Sequence, residues 1–570
     1  MRSVRITIFF SLFLLVSFLA LGVRCFYLQH FKSNHYIDLF NKQEVYTRIQ
    51  PQRGVILDCR GRVLAASNKI QTIYAEPRAI EDAKATSSEL APIVDMGAHI
   101  ICQMILESRN PGFVKIKTTT DANECSAAVG IHGIGVLSEW RRHYPMGHLA
   151  SNVVGFTGRD NRGHDNRGLE GIELKYDKEL SGSAARNIFF ADVRRRPIRA
   201  KGQDGVLTNG KGIILTIDST IQQIARDELI KQYENYEAES AVAIVAEPTT
   251  GAILAMVSLP DFDPAYIGTT DPNNFRSRAI TDWYEPGSII KPITVAIALE
   301  AGAVNKTEKI FCENGNYRGR GFGSIGEYRR GFGNLTVKEI LINSSNIGMA
   351  KIGQRLGKDR LYKGLKLFGF GTKTGIELPG EVDGLLRPPS TWDGYSITRI
   401  PWGHEICVTS MQMIRAFCIL ANGGRLVRPF MVRAIVDNDG NITVLKRPPP
   451  PVGYIVKPEV AKWVVTKALT GVVNEGTGKR AQLEKWQVFG KTGTANIALS
   501  DTRGFSDQDY VASFIAGAPA DDPAIVVLVS IRKPNRSLGK GYTGGAVASP
   551  VAPRIIEKTL TYLGVKPDHK

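Results

Sequence analysis

The sequence predicts an α+β protein with one N-terminal membrane helix, a mixed α/β region after it, and a larger region in which helices flank an antiparallel sheet. Two observations lead to this prediction: a long apolar run lies near the N-terminus, and strand patterns occur at both ends of the larger region. A sheet built from both ends of one region, with helices inserted between, is typical of α+β folds. At 570 residues the chain is too long for one ordinary core, so several domains are expected.

The first region is predicted at residues 1–24. Residues 6–23 are apolar and uncharged, and Arg5 and Arg24 flank them. A helix over this run is about 27 Å long, enough to cross the hydrocarbon core of a bilayer. Basic residues lie in the short segment before this run, which predicts that the N-terminus is in the cytoplasm and the following chain is outside. We interpret the run as an uncleaved signal anchor; the alternative is a cleaved signal peptide, which has a shorter apolar region and a small-residue cleavage site.

The second region is predicted at residues 45–235 with mixed α/β structure. Residues 51–65 show a strand, a turn and a strand, and residues 212–218 show a further strand. Residues 219–236 follow as a capped helix that connects this region to the next one. No nucleophile–base pair of suitable spacing occurs here, so we interpret the region as a pedestal or an interaction module.

The third region is predicted at residues 240–570. Residues 241–248 and 251–258 are two apolar strands around a turn, which is the pattern of a β-hairpin. A mostly helical middle follows. Later segments predict strands at residues 487–495, 510–519 and 524–532, a closing helix at residues 551–562, and a rigid proline loop at residues 448–451.

The chain is basic, with 72 Lys and Arg against 55 Asp and Glu and a net charge of +17. Such a charge favours acidic surroundings, whether anionic lipid, an acidic polymer or nucleic acid. The basic residues are spread along the chain, their densest run is Arg194–Arg196, and no nucleic-acid-binding motif accompanies them. We therefore expect a solvated basic surface and no nucleic-acid partner.

The seven cysteines are odd in number, widely spaced and without a C-x-x-C pair, which argues against a zinc site and against a dense disulfide framework. Whether Cys102 pairs with Cys125 stays open. His404 and Glu405 resemble the start of the zinc motif H-E-x-x-H, but Val408 stands where the second histidine is required. We expect no metal and no cofactor.

The segment at residues 284–292 reads Y-E-P-G-S-I-I-K-P and opens an apolar helix pattern that Gly302 ends. Ser288 and Lys291 are three residues apart and share one face of a helix. Because Pro292 is tolerated only in a first turn, Ser288 is expected at the helix N-terminus, where backbone N–H groups favour a developing negative charge. A lysine buried in apolar surroundings has a lowered pKa, so Lys291 is the candidate base for the Ser288 hydroxyl.

A second motif, Ser344 and Asn346, precedes another apolar helix pattern. Hydroxyl and amide groups on a tight turn are able to relay a proton from Lys291 and to hydrogen-bond a substrate amide. The alternative is simple N-capping of the helix, which Ser and Asn also perform well.

A third motif, Lys491, Thr492, Gly493 and Thr494, lies on a predicted strand. Lys491 offers a positive charge, and the two threonines offer hydroxyls for a carboxylate. Gly493 lets another backbone approach closely. Such an edge strand binds an extended peptide by strand addition.

Two further copies of these short motifs are expected to be structural. Residues 537–540 repeat the Ser-x-x-Lys spacing, but the segment is a loop by composition and contains Gly539. Residues 373–375 repeat Lys-Thr-Gly in a glycine-rich loop without a preceding strand.

The order and wide spacing of the three motifs form the signature of penicillin-recognising serine enzymes. The whole chain resembles a class B penicillin-binding protein of the division (septal) type. The resemblance covers nearly the entire chain, from the anchor through residues 53–54, 168–173, 285–288, 421–424, 476–478, 544–545 and Pro550.

The resemblance implies a single-pass protein of the inner (cytoplasmic) membrane whose pedestal domain and penicillin-binding transpeptidase domain lie outside. Its implied activity is a peptidoglycan D,D-transpeptidase that cross-links stem peptides ending in D-Ala-D-Ala and releases D-Ala. β-Lactams are the implied covalent inhibitors, and a membrane-embedded glycan polymerase and other division proteins are the implied partners.

The resemblance also assigns roles to the motif residues. These are Ser288 as nucleophile, Lys291 as base, Ser344 and Asn346 as relay and amide-binding pair, and Lys491, Thr492 and Thr494 as the carboxylate-binding residues around Gly493. Backbone N–H groups of Ser288 and Thr494 are the implied oxyanion hole, each contributing about 3 kcal/mol.

The chain departs from the family pattern at four places: Cys59, Glu247, residues 324–327 and residues 403–405. Cys59 replaces a usual Arg, Glu247 replaces a common Asp, and residues 403–405 read Gly-His-Glu in place of Gly-Gln-Gly. None of these departures touches the three motifs, so they bear on partner contacts and on the rim of the active site.

Four other functions are weighed against a septal transpeptidase. An elongation-type transpeptidase shares every motif. A D,D-carboxypeptidase or a β-lactamase needs water to resolve the acyl-enzyme, whereas an anchor and a pedestal favour a cross-linking enzyme. A non-catalytic scaffold or β-lactam sensor is disfavoured because Ser288 and Lys291 are both present and few residues precede the anchor.

Overall fold

The computed structural model describes residues 2–36, 44–159, 165–191, 197–328, 331–445, 453–498 and 504–569. Its α-helices are α1 (Arg2–His30), α2 (Ala83–Val94), α3 (Ala98–Leu106), α4 (Ala122–Val129), α5 (Ser151–Val154), α6 (Gly171–Lys175), α7 (Asp177–Ser181), α8 (Ser219–Asn235), α9 (Arg278–Thr281), α10 (Lys291–Glu300), α11 (Val337–Asn343), α12 (Asn346–Leu356), α13 (Lys358–Leu367), α14 (Gly394–Arg399), α15 (Ser410–Ala421), α16 (Pro458–Trp463), α17 (Thr470–Asn474), α18 (Gly544–Val547) and α19 (Val551–Leu563).

The strands are β1 (Glu44–Ile49), β2 (Ile56–Leu57), β3 (Val63–Ala75), β4 (Val114–Thr119), β5 (Ile134–His143), β6 (Thr157–Arg159), β7 (Asp165–Gly168), β8 (Ala185–Ala191), β9 (Pro197–Asp204), β10 (Gly212–Leu215), β11 (Ser240–Ala246), β12 (Ile253–Leu259), β13 (Trp283–Tyr284), β14 (Lys309–Phe311), β15 (Asn316–Gly319), β16 (Gly323–Gly326), β17 (Asn334–Thr336), β18 (Val408–Thr409), β19 (Val432–Val436), β20 (Ile442–Leu445), β21 (Phe489–Ala498), β22 (Phe505–Ala518) and β23 (Ile525–Arg532). The proline loop at residues 448–451 and the basic run Arg194–Arg196 lie outside the described residues.

The first of two compact units comprises residues 1–52 and 182–209. It holds α1 and an antiparallel three-stranded sheet in the order β1-β8-β9. The most apolar stretch within Val4–His30 has a mean hydropathy of 2.6, and none of it is buried. Among the described residues this is the one helix long and apolar enough to cross a membrane, and it contains the predicted anchor run.

The second unit comprises residues 53–181 and 210–570. One of its sheets has the order β20-β19-β10-β2-β3-β4, with β5 also paired to β3. The predicted strands at residues 51–65 and 212–218 are confirmed by β2, β3 and β10. Because β10 pairs with β19, with Gly212 opposite Val436, this sheet runs across the predicted division near residue 240. The domain limits 45–235 and 240–570 stay predictions.

A five-stranded antiparallel sheet of the order β12-β11-β23-β22-β21 forms the centre of the second unit. It confirms the predicted hairpin and the three late strands, and α19 confirms the closing helix. Side chains alternate along β11, because successive residues of a strand point to opposite faces. Ala243 and Val245 enter the core shared with α8 and α19, whereas Val242 and Ile244 enter the core shared with α10 and α15.

A buried ion network holds residues 53–181 together. Arg53 and Glu173 expose 1% and 0% of their side chains, and the Arg53 Nε lies 2.6 Å from Glu173 Oε2. Arg142 Nε donates to Glu173 Oε1 at 2.6 Å, and Arg53 Nη1 donates to Asp177 Oδ1 at 2.6 Å. Buried charges persist only when paired, so this network connects the two sequence segments around Arg53 and Glu173 that the resemblance singled out.

Candidate active site

Ser288 lies on a 3-10 turn, Gly287–Ile290, that runs directly into α10 at Lys291. The α-helix therefore begins three residues later than the position predicted for Ser288. Gly287 allows the sharp turn before Ser288. Its φ is +53°, and its N–H donates to Gly403 O at 3.1 Å. A Cβ at this position would lie 2.9 Å from Thr494 O. Only glycine adopts this conformation so close to another backbone without strain.

Ser344 and Asn346 lie at the junction of two helices. Ser344 ends α11 in the left-handed conformation with φ +58°, and Asn346 is the first residue of α12. The capping hydroxyl is that of Ser345, which accepts from Gly348 N at 2.9 Å. Because Ser345 caps the helix, Ser344 and Asn346 keep their side chains for Lys291.

Lys291 is fully buried and makes three contacts with this junction. Its Nζ donates to Ser344 O at 2.6 Å, to Asn346 Oδ1 at 2.7 Å and to Ser344 Oγ at 3.2 Å. Burial lowers the pKa of Lys291 to about 7, and the carboxylate of Glu327 opposes that decrease. A substantial neutral fraction therefore exists near neutral pH, which a general base requires.

Lys491 approaches the same hydroxyl from β21. Its Nζ, also buried, donates to Ser344 Oγ at 3.0 Å and to Thr492 O at 3.2 Å. Burial and then the nearby Lys291 hold the pKa of Lys491 well below its usual value. Ser344 Oγ in turn donates to Ser288 Oγ at 2.9 Å, so both lysines connect to Ser288 through one hydroxyl.

The other residues of the third motif lie on β21, at the edge of the central sheet. Thr492 Oγ1 lies 2.6 Å from Thr477 Oγ1, and Thr494 Oγ1 accepts from Gly544 N at 3.0 Å. A Cβ on Gly493 would lie 2.9 Å from Ile289 Cγ2 and 3.0 Å from Pro286 O. The absent side chain therefore lets β21 run against the turn that carries Ser288.

The predicted site residues converge on one cleft of about 740 Å³. Its lining includes Ser288, Ser344, Asn346, Thr492, Gly493 and Thr494. Lys291 and Lys491 lie buried behind Ser344. The two extra motif copies lie elsewhere: Ser537 is exposed on a 3-10 turn, and Thr374 is buried with its hydroxyl on Glu381.

Sequence reasoning missed the part played by Glu327. Its carboxylate accepts from Ser345 Oγ at 2.5 Å, from Asn346 N at 2.8 Å and from Ile347 N at 3.2 Å, which fixes the start of α12. Carboxylates are favoured at helix N-termini because free N–H groups point at them. The only signal in the sequence was that residues 324–327 depart from the family pattern.

His404 and Thr477 also line the cleft without having been predicted as site residues. Thr477 belongs to a Gly-Thr-Gly segment that the resemblance included but to which it gave no role. His404 belongs to a departure from the family pattern, and its Nδ1 lies 2.8 Å from Glu285 Oε2.

The fold and the site together define a serine acyltransferase of the penicillin-recognising class. The family model described as "Penicillin binding protein transpeptidase domain" matches residues 241–557, and that described as "Penicillin-binding Protein dimerisation domain" matches residues 48–215. The chain belongs to the penicillin-binding proteins, in class B and of the division type.

Similar proteins span almost all of the chain. Stage V sporulation protein D of Bacillus subtilis is 34% identical, with 98% of this chain and 86% of that protein covered. The probable peptidoglycan D,D-transpeptidase PenA of Neisseria meningitidis is 30% identical over 97% of this chain and 92% of its own. The peptidoglycan D,D-transpeptidase FtsI of Escherichia coli is 28% identical over 91% and 85%.

Solved structures share the fold. The crystal structure of a peptidoglycan synthetase from Bifidobacterium adolescentis has a TM-score of 0.73 at 23% identity, covering 92% of this chain and 98% of that one. Penicillin binding protein 3 from Mycobacterium tuberculosis, complexed with aztreonam, has a TM-score of 0.68 at 25% identity, covering 91% and 98%.

Proposed function

We propose that this chain is a peptidoglycan D,D-transpeptidase of septal cell-wall synthesis. The observation that supports this most directly is the hydrogen-bonded set of Ser288, Ser344 and Lys291 beside the edge strand of Lys491, Thr492 and Thr494. A buried and partly neutral lysine that is connected through the Ser344 hydroxyl to the Ser288 hydroxyl has the arrangement of a base with its nucleophile. The names of the relatives PenA and FtsI state the same activity for those proteins.

In the proposed reaction Ser288 Oγ attacks the carbonyl of the penultimate D-Ala of a stem peptide. Its proton passes through Ser344 Oγ to neutral Lys291 and then to the nitrogen of the leaving D-Ala, as the amide bond breaks. The N–H groups of Ser288 and Thr494 stabilise the oxyanion, each by about 3 kcal/mol. An amine from a second stem peptide then attacks the ester, and Ser288 recovers its proton.

The donor's terminal carboxylate is proposed to bind at Thr492 and Thr494. Thr477 holds the Thr492 hydroxyl at 2.6 Å, and the Gly544 N–H holds that of Thr494 at 3.0 Å. Asn346 lies at the cleft wall and offers its amide to the peptide backbone. Buried Lys491 contributes a positive charge behind this strand whenever it is protonated.

We further propose that α1 anchors the chain in the cytoplasmic (inner) membrane, with the N-terminus in the cytoplasm and the chain after Arg24 outside. A septal enzyme of this topology is held where lipid-linked glycan is polymerised. A membrane-embedded glycan polymerase and other division proteins are its proposed partners.

Covalent labelling with a fluorescent penicillin tests the assignment. We expect the full-length chain to label, Ser288→Ala to lose all labelling, and Ser537→Ala to label like the wild type. Ser537 is the matched control because it has the same Ser-x-x-Lys spacing on an exposed turn. Undiminished labelling of Ser288→Ala would overturn the assignment of the nucleophile.

A further inference from the structure

His404 occupies the cleft wall next to the turn that carries Ser288. The preceding residue, Gly403, accepts the Gly287 N–H at 3.1 Å, and the following residue, Glu405, donates its N–H to Glu285 Oε1 at 2.9 Å. Both ends of this short segment are therefore fixed to the residues directly before the nucleophile.

The imidazole ring is held on several sides. Its centroid lies 4.3 Å from that of Trp402 and 5.9 Å from that of Phe505, both in edge-on geometry. Its Nδ1 lies 2.8 Å from Glu285 Oε2, a buried oxygen that has no hydrogen bond of regular geometry among the described residues. The ring is thus placed against a carboxylate, while His404 remains part of the cleft lining.

We infer that His404, together with Glu285, accepts a proton from the amine that resolves the acyl-enzyme. The inference rests on the proposed function, since it concerns the second half of that reaction. Nδ1 faces Glu285, and Nε2 has no hydrogen-bond partner among the described residues, which leaves it for a ligand in the cleft. The Glu285 carboxylate faces the positive charge that the ring acquires when it takes the proton.

The chemistry requires such a group, because an alkyl amine arrives mainly as its ammonium ion and must lose a proton before it can attack. His404 Nε2 takes that proton, which leaves a neutral amine and an imidazolium beside Glu285. The amine nitrogen then bonds to the acyl carbon, and the Ser288 Oγ–carbon bond breaks. The second amine proton returns to Ser288 Oγ through Ser344 and Lys291, and the imidazolium releases its proton to solvent.

Charged residues of both signs surround the cleft. Glu285 is the ionisable group within ion-pair distance of the ring among the described residues, and Glu405, next in the chain, pairs with Arg387. Lys479 and Arg480 line the cleft close to Thr477, beside the proposed carboxylate site. Glu327 and Glu475 are the remaining charged lining residues.

The test separates acylation from resolution of the acyl-enzyme. Full-length wild type, His404→Gln, Glu285→Gln and His148→Gln would be given a thioester donor ending in a D-alanyl residue, with D-alanine as acceptor amine. His148 is the matched control, since its Nδ1 lies 3.2 Å from Asp261 Oδ1 and it is not part of the cleft lining. The readouts are penicillin acylation and the ratio of aminolysis to hydrolysis, each measured at one fixed pH.

For His404→Gln we expect penicillin acylation within about twofold of wild type and a fall of about a hundredfold in the aminolysis-to-hydrolysis ratio, the lower range for loss of a general base. Glu285→Gln should lower the ratio less, by about tenfold, and His148→Gln should leave it unchanged.

Two results would overturn the inference. One is an unchanged ratio of aminolysis to hydrolysis in His404→Gln. The other is an equal loss of acylation and aminolysis in a His404→Gln variant whose thermal unfolding matches wild type, because the ring would then only shape the cleft. Failure of wild type itself to acylate at Ser288 would instead refute the proposed function.

Discussion

Replacing Lys291 by Arg tests the chemical role of the buried lysine. Arginine keeps the positive charge and is able to donate to Ser344 O and Asn346 Oδ1, which Lys291 reaches at 2.6 and 2.7 Å. It cannot serve as a base, because a guanidinium stays protonated in proteins. The substitution therefore supplies a permanent positive charge and removes proton acceptance.

The size of the effect follows from the pKa of Lys291, which burial lowers from 10.5 to about 7. The neutral form is the base, so the acylation rate of wild type should rise with pH and reach half its maximum near pH 7. It should fall to about one tenth of the maximum at pH 6 and about one hundredth at pH 5, if one group titrates. Lys291→Arg should acylate at least about a hundredfold more slowly at pH 8, the lower range for general-base catalysis.

The assay is the second-order rate of penicillin acylation, measured by rapid mixing from pH 5 to 9. Lys540→Arg is the control, since Lys540 belongs to the second Ser-x-x-Lys copy and its Nζ donates to Asn235 Oδ1 at 2.9 Å on the surface. A flat wild-type profile would refute the titration of Lys291 near pH 7. A Lys291→Arg variant that acylates at the wild-type rate would show that the lysine supplies charge alone.

Two further predictions concern the rest of the chain. Arg53→Ala removes one partner of fully buried Glu173 and should lower the free energy of unfolding by about 3–5 kcal/mol, measured by denaturant titration. Arg78→Ala is the control: Arg78 lies 3.6 Å from Glu76 in an exposed pair, so its loss should change the free energy of unfolding by at most about 1 kcal/mol. Equal losses in the two variants would contradict the expectation that the buried pair matters more. A chain beginning near residue 45 and given an export signal should still be acylated by penicillin but should not rescue a strain depleted of the full-length protein; full rescue would mean that the anchor is dispensable.

Sequence patterns predicted those helices and strands that depend on interactions between residues close together in the chain. The helix after Asp218 was predicted because a capping residue precedes an apolar pattern, and the Asp218 side chain does accept from Thr220 N at 2.9 Å. The hairpin of β11 and β12 follows from two apolar runs around one turn. The order of the motifs predicted Ser288, Ser344 and Lys491 as site residues. The distances between these residues could not be predicted from the sequence, because they depend on how the chain folds.

What the sequence did not predict depends on contacts between distant segments. Glu327 fixes Asn346 from a loop 19 residues earlier, and no spacing rule marks such a carboxylate. Ser345, not Ser344, caps α12, because the left-handed conformation of Ser344 turns the chain between the helices. His404 becomes a site residue only through its neighbours Glu285, Trp402 and Phe505.

The pairing of β10 with β19 has a consequence for how the chain reaches its native state. Gly212 lies opposite Val436, so the 223 residues at positions 213–435 separate the two partners along the chain. Until β19 has been synthesised, β10 has one unpaired edge, and unpaired strand edges recruit other chains. Closure of so large a loop slows folding. The folding of this protein should therefore depend on holdase chaperones until β19 is available to pair with β10. A pulse–chase protease-protection assay would measure when this sheet becomes protected.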